Sequence, residues 1–290
     1  MHLLRVPGDL PGERRRLNVA PAAALSGIHA ITFDFGNTLV PVDRASLERV
    51  VDVTGRRVAE LLGPWDHATF LRAWTEERER QFHEEIPRFR EVDLGERLVR
   101  VVARLRGMEP PPPNRPWDHA DAARRSTREE IAIALDVYSR AFVEAVPAPP
   151  SVEPLLRRLA ARRTLGILSN WPIAATIDRY VEAAGWSGHL RAVVVSQRVG
   201  TIKPHPRIFA AALVELGETD PAACLHVGDD WAADVVGAMR AGWRAAHVRA
   251  RPEDSPLPMS EPDGAVVPDL ELDTLADLES ALDDREASAE

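Results

Sequence analysis

The 290-residue chain has a single cysteine, Cys224. That excludes an intramolecular disulfide and a cysteine-rich zinc site. Positive charge is also short. The 36 Lys and Arg against 45 Asp and Glu leave a formal charge of −9, so the basic footprint of a nucleic-acid binder is missing. No apolar run reaches the ~18 residues of a membrane span. The early arginines, Arg5 and Arg14 to Arg16, are not followed by the apolar stretch of a signal peptide. Residues 44–146 contain no lysine and few strand-like runs. These absences lead us to expect a cytoplasmic globular protein with no nucleic-acid or membrane partner. At roughly 150 residues per domain it has room for about two structural units.

The chain divides by its hydrophobic pattern. Residues 1–27, rich in Pro, Gly, Arg and Ala, show no period and read as a loose extension. The first strand signal is Ile28 to Phe33, a short apolar run stopped by Asp34, Gly36 and Asn37. Residues 44–147 carry Leu and Val stripes at helical spacing, and Pro110 to Pro113 break two helices apart. Beyond Pro147 to Pro150 strand and helix alternate. Strands are expected over 164–168, 192–195, 224–227, 245–248 and 265–270, and helices over 152–161, 173–184, 206–216, 232–241 and 275–282. Such alternation builds βαβ units and a parallel sheet covered on both faces. The expected architecture is α/β: a doubly wound, Rossmann-like core from 28–43 and 148–283, an all-helical insertion over 44–147, and a frayed tail at 284–290.

In such sheets ligands bind beyond the carboxyl ends of the strands. Asp34, Gly36, Asn37 and Thr38 follow the first strand, and Ser169 and Asn170 the second. Lys203 comes after the third, and Gly228, Asp229, Asp230 and Asp234 after the fourth. One carboxylate, hydroxyl and ammonium donors, and an acidic cluster suit phosphoryl transfer. A carboxylate can attack phosphorus, donors can hold its oxygens, and a hard cation can offset the charge.

These residues resemble the haloacid dehalogenase superfamily. Its four motifs stand in order as Phe33-Asp-Phe-Gly-Asn-Thr-Leu39, Ile167-Leu-Ser-Asn170, Lys203-Pro-His-Pro206 and Gly228-Asp-Asp-Trp-Ala-Ala-Asp234. The helical insertion falls where the family carries its cap. The resemblance implies that Asp34 is the nucleophile and a metal ligand, that Ser169 binds the phosphoryl group, and that Lys203 neutralises both. Thr38 and Asn170 join them as candidate phosphate-binding residues. It further implies Mg²⁺ held by Asp34, the Gly36 carbonyl, Asp229 and either Asp230 or Asp234. The expected activity is hydrolysis of a small phosphorylated metabolite through an aspartyl-phosphate. No residue demands a homodimer.

One position departs from the family pattern. Most of its phosphatases place a second Asp, the general acid and base, two residues after the nucleophile; here that position is Gly36. General acid–base help is worth about 10²–10⁴-fold, so slow turnover, a preference for good leaving groups, or another acid is expected. The same gap suits the family's metal-independent dehalogenases, although three clustered carboxylates do not. A Schiff-base phosphonate hydrolase would need a lysine in the insertion, which has none. A catalytically weakened ligand-binding or interaction module is the remaining alternative. Elsewhere, Cys224 reads as a small buried hydrophobe, His205 as a loop histidine beside the site, and Trp171 as packing or pocket lining. His83, Arg88, Phe89 and Arg90 read as a solvated helix end in preference to a substrate contact.

Overall fold

The structure is a computed structural model and describes residues 25, 27–109, 124–262, 264 and 266–287, with side chains as far as residue 283. The extension before Leu25, the break at Pro110 to Pro113 and the last residues of the tail lie outside the described residues.

Six parallel strands form one sheet: β1 (Ala30–Phe33), β2 (Thr164–Ser169), β3 (Ala192–Val195), β4 (Cys224–Gly228), β5 (Arg244–Val248) and β6 (Leu270–Leu272), in the order β3-β2-β1-β4-β5-β6. Every β1 side chain is buried. Ile31 and Phe33 join the core on one face and Ala30 the core on the other, as the pleat requires. Phe33 pairs with Ile167 on β2 and with Val227 on β4. Asp34 therefore leaves the sheet between two neighbours, where the winding direction changes.

Helices α5 (Val152–Ala160), α6 (Ala174–Ala183), α7 (Ser196–Val199) and α8 (Pro206–Leu216) connect the strands up to β4. After β4 a π-helical turn, Trp231–Val236, runs into α9 (Gly237–Arg240), and α10 (Leu278–Ala287) follows β6. Two expectations shift here. The helix expected over 232–241 begins as a π turn, and the last strand lies at 270–272, not 265–270. Residues 249–262 form a proline-rich loop without regular structure.

Four helices stand between β1 and α5. In α1 (Arg44–Leu62), α2 (His67–Glu85), α3 (Leu94–Leu105) and a fourth at Arg128–Ala145, the first-turn N–H groups are satisfied by Asp43, Asp66, Asp93 and Thr127. The fourth helix docks on the sheet layer through aromatic side chains. Phe142 meets the Trp171 ring at 5.1 Å, and Phe35, just past β1, meets Trp171 at 5.3 Å and Tyr180 at 5.1 Å. Ser139 and Thr176 add a buried hydroxyl pair at 2.8 Å. Each aromatic contact of this kind is worth ~0.5–1.5 kcal/mol beyond its buried area, so the turn carrying Asp34 is held from both layers. Among the described residues no helix is long and apolar enough to cross a membrane.

Candidate active site

Asp34 follows β1 directly, and the chain then reverses at Asn37, which is in the left-handed region at φ 61°. Asn tolerates that conformation because its short polar side chain bonds locally: Oδ1 accepts from the Val42 N–H at 3.2 Å. The turn leaves the Asp34 carboxylate on a cavity of about 170 Å³.

Lys203 is the only lysine among 290 residues. Its buried ammonium donates to Asp34 Oδ1 at 2.8 Å, to Asp234 Oδ1 at 2.6 Å and to the Leu168 carbonyl at 2.8 Å. Three donors meet three acceptors, so the buried charge is fully satisfied. Burial opposes that charge, but Asp234 and Asp34 outweigh it and hold the lysine above its usual range. Burial also lifts Asp34, with Lys203 pulling the other way. For Asp234 the lysine and His226 prevail over burial and keep it ionised.

His226 on β4 is fully buried. Burial and the nearby ammonium push its pKa down. A neutral ring donates from Nε2 to Asp234 Oδ1 at 3.0 Å and accepts at Nδ1 from the Thr32 hydroxyl at 2.8 Å. His226 thus orients Asp234, a role the sequence reading missed.

Asp34, Asp229 and Asp234 each bring a carboxylate oxygen within 4.8 Å of the others. Gly228 makes this possible: a Cβ there would lie 2.2 Å from the Asp234 carboxyl. Asp229 has its pKa raised well above the carboxylate range by burial and by its neighbours Asp34 and Asp234. Arg251 partly compensates at 2.8 Å.

The other expected site residues make contacts of their own. Asp230, expected as a possible metal ligand, is outside the carboxylate group. It caps the π turn, accepting from the Ala233 N–H at 2.7 Å, the Ser260 N–H at 2.8 Å and the Ser260 hydroxyl at 2.8 Å. Asn170, expected on phosphate, clamps the Lys203 backbone: it donates to the Lys203 carbonyl at 3.1 Å and accepts from its N–H at 2.7 Å. Thr38, also expected on phosphate, donates to Asp229 Oδ1 at 3.3 Å. The Ser169 hydroxyl, at the end of β2, is buried without a hydrogen-bond partner, and so is the Trp171 indole N–H on the cavity wall.

Gly36 lines the cavity, and a Cβ there would meet Leu257 Cδ1 at 2.6 Å and Trp171 at 3.4 Å. The space of the absent acid is therefore taken by the 249–262 loop. The same loop supplies Arg251 to Asp229 and Ser260 to Asp230. Helices α2 and α3 and the segment between them add Arg78, Phe82, Glu91 and Arg97 to the walls. His83, Arg88 and Arg90 do not reach the cavity. Arg88 bonds the Glu84 carbonyl and Arg90 pairs with Glu85. Their neighbour Phe89 instead anchors this segment on the core, its carbonyl accepting from Thr201 and the Ile202 N–H. His205 caps α8, accepting from the Arg207 N–H.

Loop residues and buried strand residues carry no local signal, which is why Arg251, Leu257 and His226 escaped the sequence reading.

Comparison with known proteins places these features in a family. A family model described as haloacid dehalogenase-like hydrolase matches residues 28–242. The pyrimidine 5′-nucleotidase YjjG of Escherichia coli is 31% identical over 137 residues, 44% of this chain and 60% of that protein. Phosphoserine phosphatase of Thermus thermophilus is 37% identical over 120 residues, 40% of this chain and 46% of that protein. The matched stretch thus spans about half the length of these relatives. The crystal structure of 2-haloacid dehalogenase from Pseudomonas syringae superposes with a TM-score of 0.57 at 22% identity, covering 89% of this chain and 99% of that one. The putative hydrolase YfnB of Bacillus subtilis, bound to magnesium, gives a TM-score of 0.53 at 17% identity, covering 88% and 99%. These two likenesses establish the fold, and the family model establishes membership. The chain belongs to the haloacid dehalogenase-like hydrolases.

Proposed function

We propose that this hydrolase is a Mg²⁺-dependent phosphatase of a small phosphorylated metabolite. The carrying observation is the grouping of Asp34, Asp229 and Asp234 around the chain's only lysine. Two of the three crowded carboxylates, Asp34 and Asp234, share one buried ammonium, while burial and its acidic neighbours force Asp229 upward. That donor set suits a hard divalent cation bound through oxygen. Asp34 and Asp229 would hold it, with Asp234 beside them and the Gly36 carbonyl within the same turn. When bound, Mg²⁺ would supply positive charge against the phosphoryl oxygens.

The chain's own residues do the rest. Lys203 favours the ionised form of Asp34 against burial and holds it in place. An Asp34 oxygen attacks phosphorus, the bond from phosphorus to the ester oxygen breaks, and the leaving alkoxide takes a proton from water. The unpartnered Ser169 hydroxyl is free to donate to a phosphoryl oxygen. A second water then attacks phosphorus, the bond to Asp34 breaks, and inorganic phosphate leaves with the carboxylate restored. Helices α1 to α3 and the fourth helix act as a cap that shields this exchange from bulk water. A cytoplasmic location and a small-metabolite partner accompany this reading.

Halide displacement is the alternative that Gly36 favours, since it needs no acid at that position. The acidic cluster weighs against it, because three carboxylates repel a carboxylate substrate. The test is release of phosphate from a panel of phosphomonoesters, aryl and alkyl, with Mg²⁺ or chelator, beside release of halide from 2-haloacids. Metal-dependent phosphate release that is lost in Asp34→Asn supports the reading. Halide release without metal, or neither product from a folded protein, overturns it.

A further inference from the structure

Two arginines face the cavity without a carboxylate to pair with. Arg78 comes from α2 and Arg97 from α3, and both line the same space as Asp34. Arg97 is only 5% exposed. Its guanidinium lies 5.1 Å from the Trp74 ring, and its Nε donates to Gln81 at 2.9 Å. Arg78 lies 4.9 Å from the Phe82 ring and reaches the Pro256 carbonyl at 3.4 Å. Among the described residues neither has an Asp or Glu within ion-pair distance. Arg80, Arg100 and Arg104 on the same two helices are different, since Glu77, Glu84, Glu96 and Glu76 pair with them. Arg72, exposed on α2, bonds only Thr69 among the described residues, so Arg78 and Arg97 are the arginines of these helices that meet the cavity without an ion pair.

A buried cation without a counter-ion is costly unless something compensates it. Burial first, and Arg78 nearby, push the Arg97 pKa down to about 10. Glu91 is the acidic group that the segment between α2 and α3 turns to the same cavity, and its oxygens are engaged. Oε1 accepts from the Val92 N–H at 2.9 Å, and Oε2 accepts from the Ser196 hydroxyl. Tyr138, the remaining titratable group on this side, is neutral at ordinary pH. The helical wall is thus net positive, while Asp34 and its neighbours form the acidic floor.

Resting on the phosphatase reading, we propose that Arg78 and Arg97 form a second anion subsite, so that the substrate is a short phosphomonoester bearing a further oxyanion on its leaving group. Arginine is suited to this task, because its planar donors match carboxylate and phosphate oxygens. The cavity volume favours a short substrate. An apolar cavity of about 150 Å³ accommodates benzene, so about 170 Å³ suits a short spacer of a few carbon atoms between the two anions. Carboxylate and phosphate share the chemistry, and the assay separates them.

The experiment measures kcat/KM with Mg²⁺ for four esters of matched length: propyl phosphate, 2-carboxyethyl phosphate, propanediol bisphosphate and aminopropyl phosphate. A nucleoside monophosphate serves as the large control. Hydrogen bonds to a charged group are worth enough for about a ten- to hundredfold preference. We expect that preference for the carboxyethyl ester or the bisphosphate over the propyl ester, with the larger value naming the anion and the aminopropyl ester poorest. In Arg97→Gln and Arg78→Gln the ratio of anionic to propyl ester falls towards one. Where Arg97→Gln fails to fold, the half-buried Arg78 and the wild-type ratio still decide. Phosphate release with no preference among the esters, or variants that lower all esters equally, overturns the subsite. No release from any ester overturns the phosphatase reading instead.

Discussion

Replacing Glu91 with glutamine probes the join between the helical layer and the core. Glu91 is half-buried in the segment between α2 and α3 and accepts from Ser196 on α7. Burial raises its pKa from 4.5 to about 7, against the opposing pull of the Ser196 and Val92 donors and Arg97, while Asp93 adds to the rise. The folded state therefore binds a proton that the unfolded chain releases near pH 4.5. A carboxyl raised in this way stabilises the fold only when protonated, so stability falls as pH climbs from about 4.5 through about 7. At roughly 1.4 kcal/mol per pKa unit, the loss between pH 5 and pH 8 comes to about 2–3 kcal/mol. Glu91→Gln keeps the shape and cannot ionise. Urea unfolding of both proteins at both pH values gives the assay, and other titrating groups cancel in the difference. The variant should gain about 2–3 kcal/mol on the wild type between pH 5 and pH 8. A difference that does not change with pH refutes the assigned desolvation of Glu91.

Further outcomes follow from the same contacts. Lys203→Met strands Asp34 and Asp234 in the interior and should cost ~3–5 kcal/mol in denaturant unfolding, together with all turnover; a variant as stable as wild type contradicts the buried pairing. Because Lys203 is the only lysine, isotope labelling of lysine should give one side-chain ammonium signal. That signal should stay protonated beyond the usual lysine range and titrate earlier in Asp34→Asn, and an unchanged titration contradicts the contact. Gly36→Asp alone collides with Leu257. With Leu257→Ala added, turnover of alkyl esters should rise, at most by the 10²–10⁴-fold worth of an acid; no rise in a folded double variant rejects the missing-acid account. Asp230→Ala should lose about 0.5–2 kcal/mol as a helix cap and retain Mg²⁺ affinity by calorimetry, whereas Asp229→Ala should lose that affinity. Equal losses of affinity would make Asp230 a ligand.

Most of the sheet was legible because short buried strands leave apolar runs bounded by Gly, Asn and Pro. Residues 192–195 and 206–216 fall where the pattern put them. The last strand did not. Val266 and Leu270 are buried from different elements, a loop and a strand, and apolar content does not separate these. The π turn at Trp231–Val236 was equally hidden, since its apolar spacing resembles that of an α-helix. At the site, strand ends announced Asp34, Lys203 and Asp229, because residues that follow strands share one edge of the sheet. The different surroundings of Asp230 and Asp234 needed three dimensions: Ser260 and Ala233 engage the first carboxylate, while Lys203 and His226 hold the second. His226 lies in a strand buried on both faces, where no alternation marks it. Arg78 and Arg97 looked like any other helix arginines, because pairing and its absence are tertiary facts.

The central claim is that Asp34 becomes phosphorylated. The direct measurement is acid quenching of the enzyme during turnover of an aryl phosphate with Mg²⁺, followed by mass spectrometry of the peptide containing Asp34. The account predicts the mass of one added phosphoryl group on Asp34, absent in Asp34→Asn and discharged on further incubation without substrate. Turnover with an unmodified Asp34, or a phosphoryl group on another residue, would contradict it.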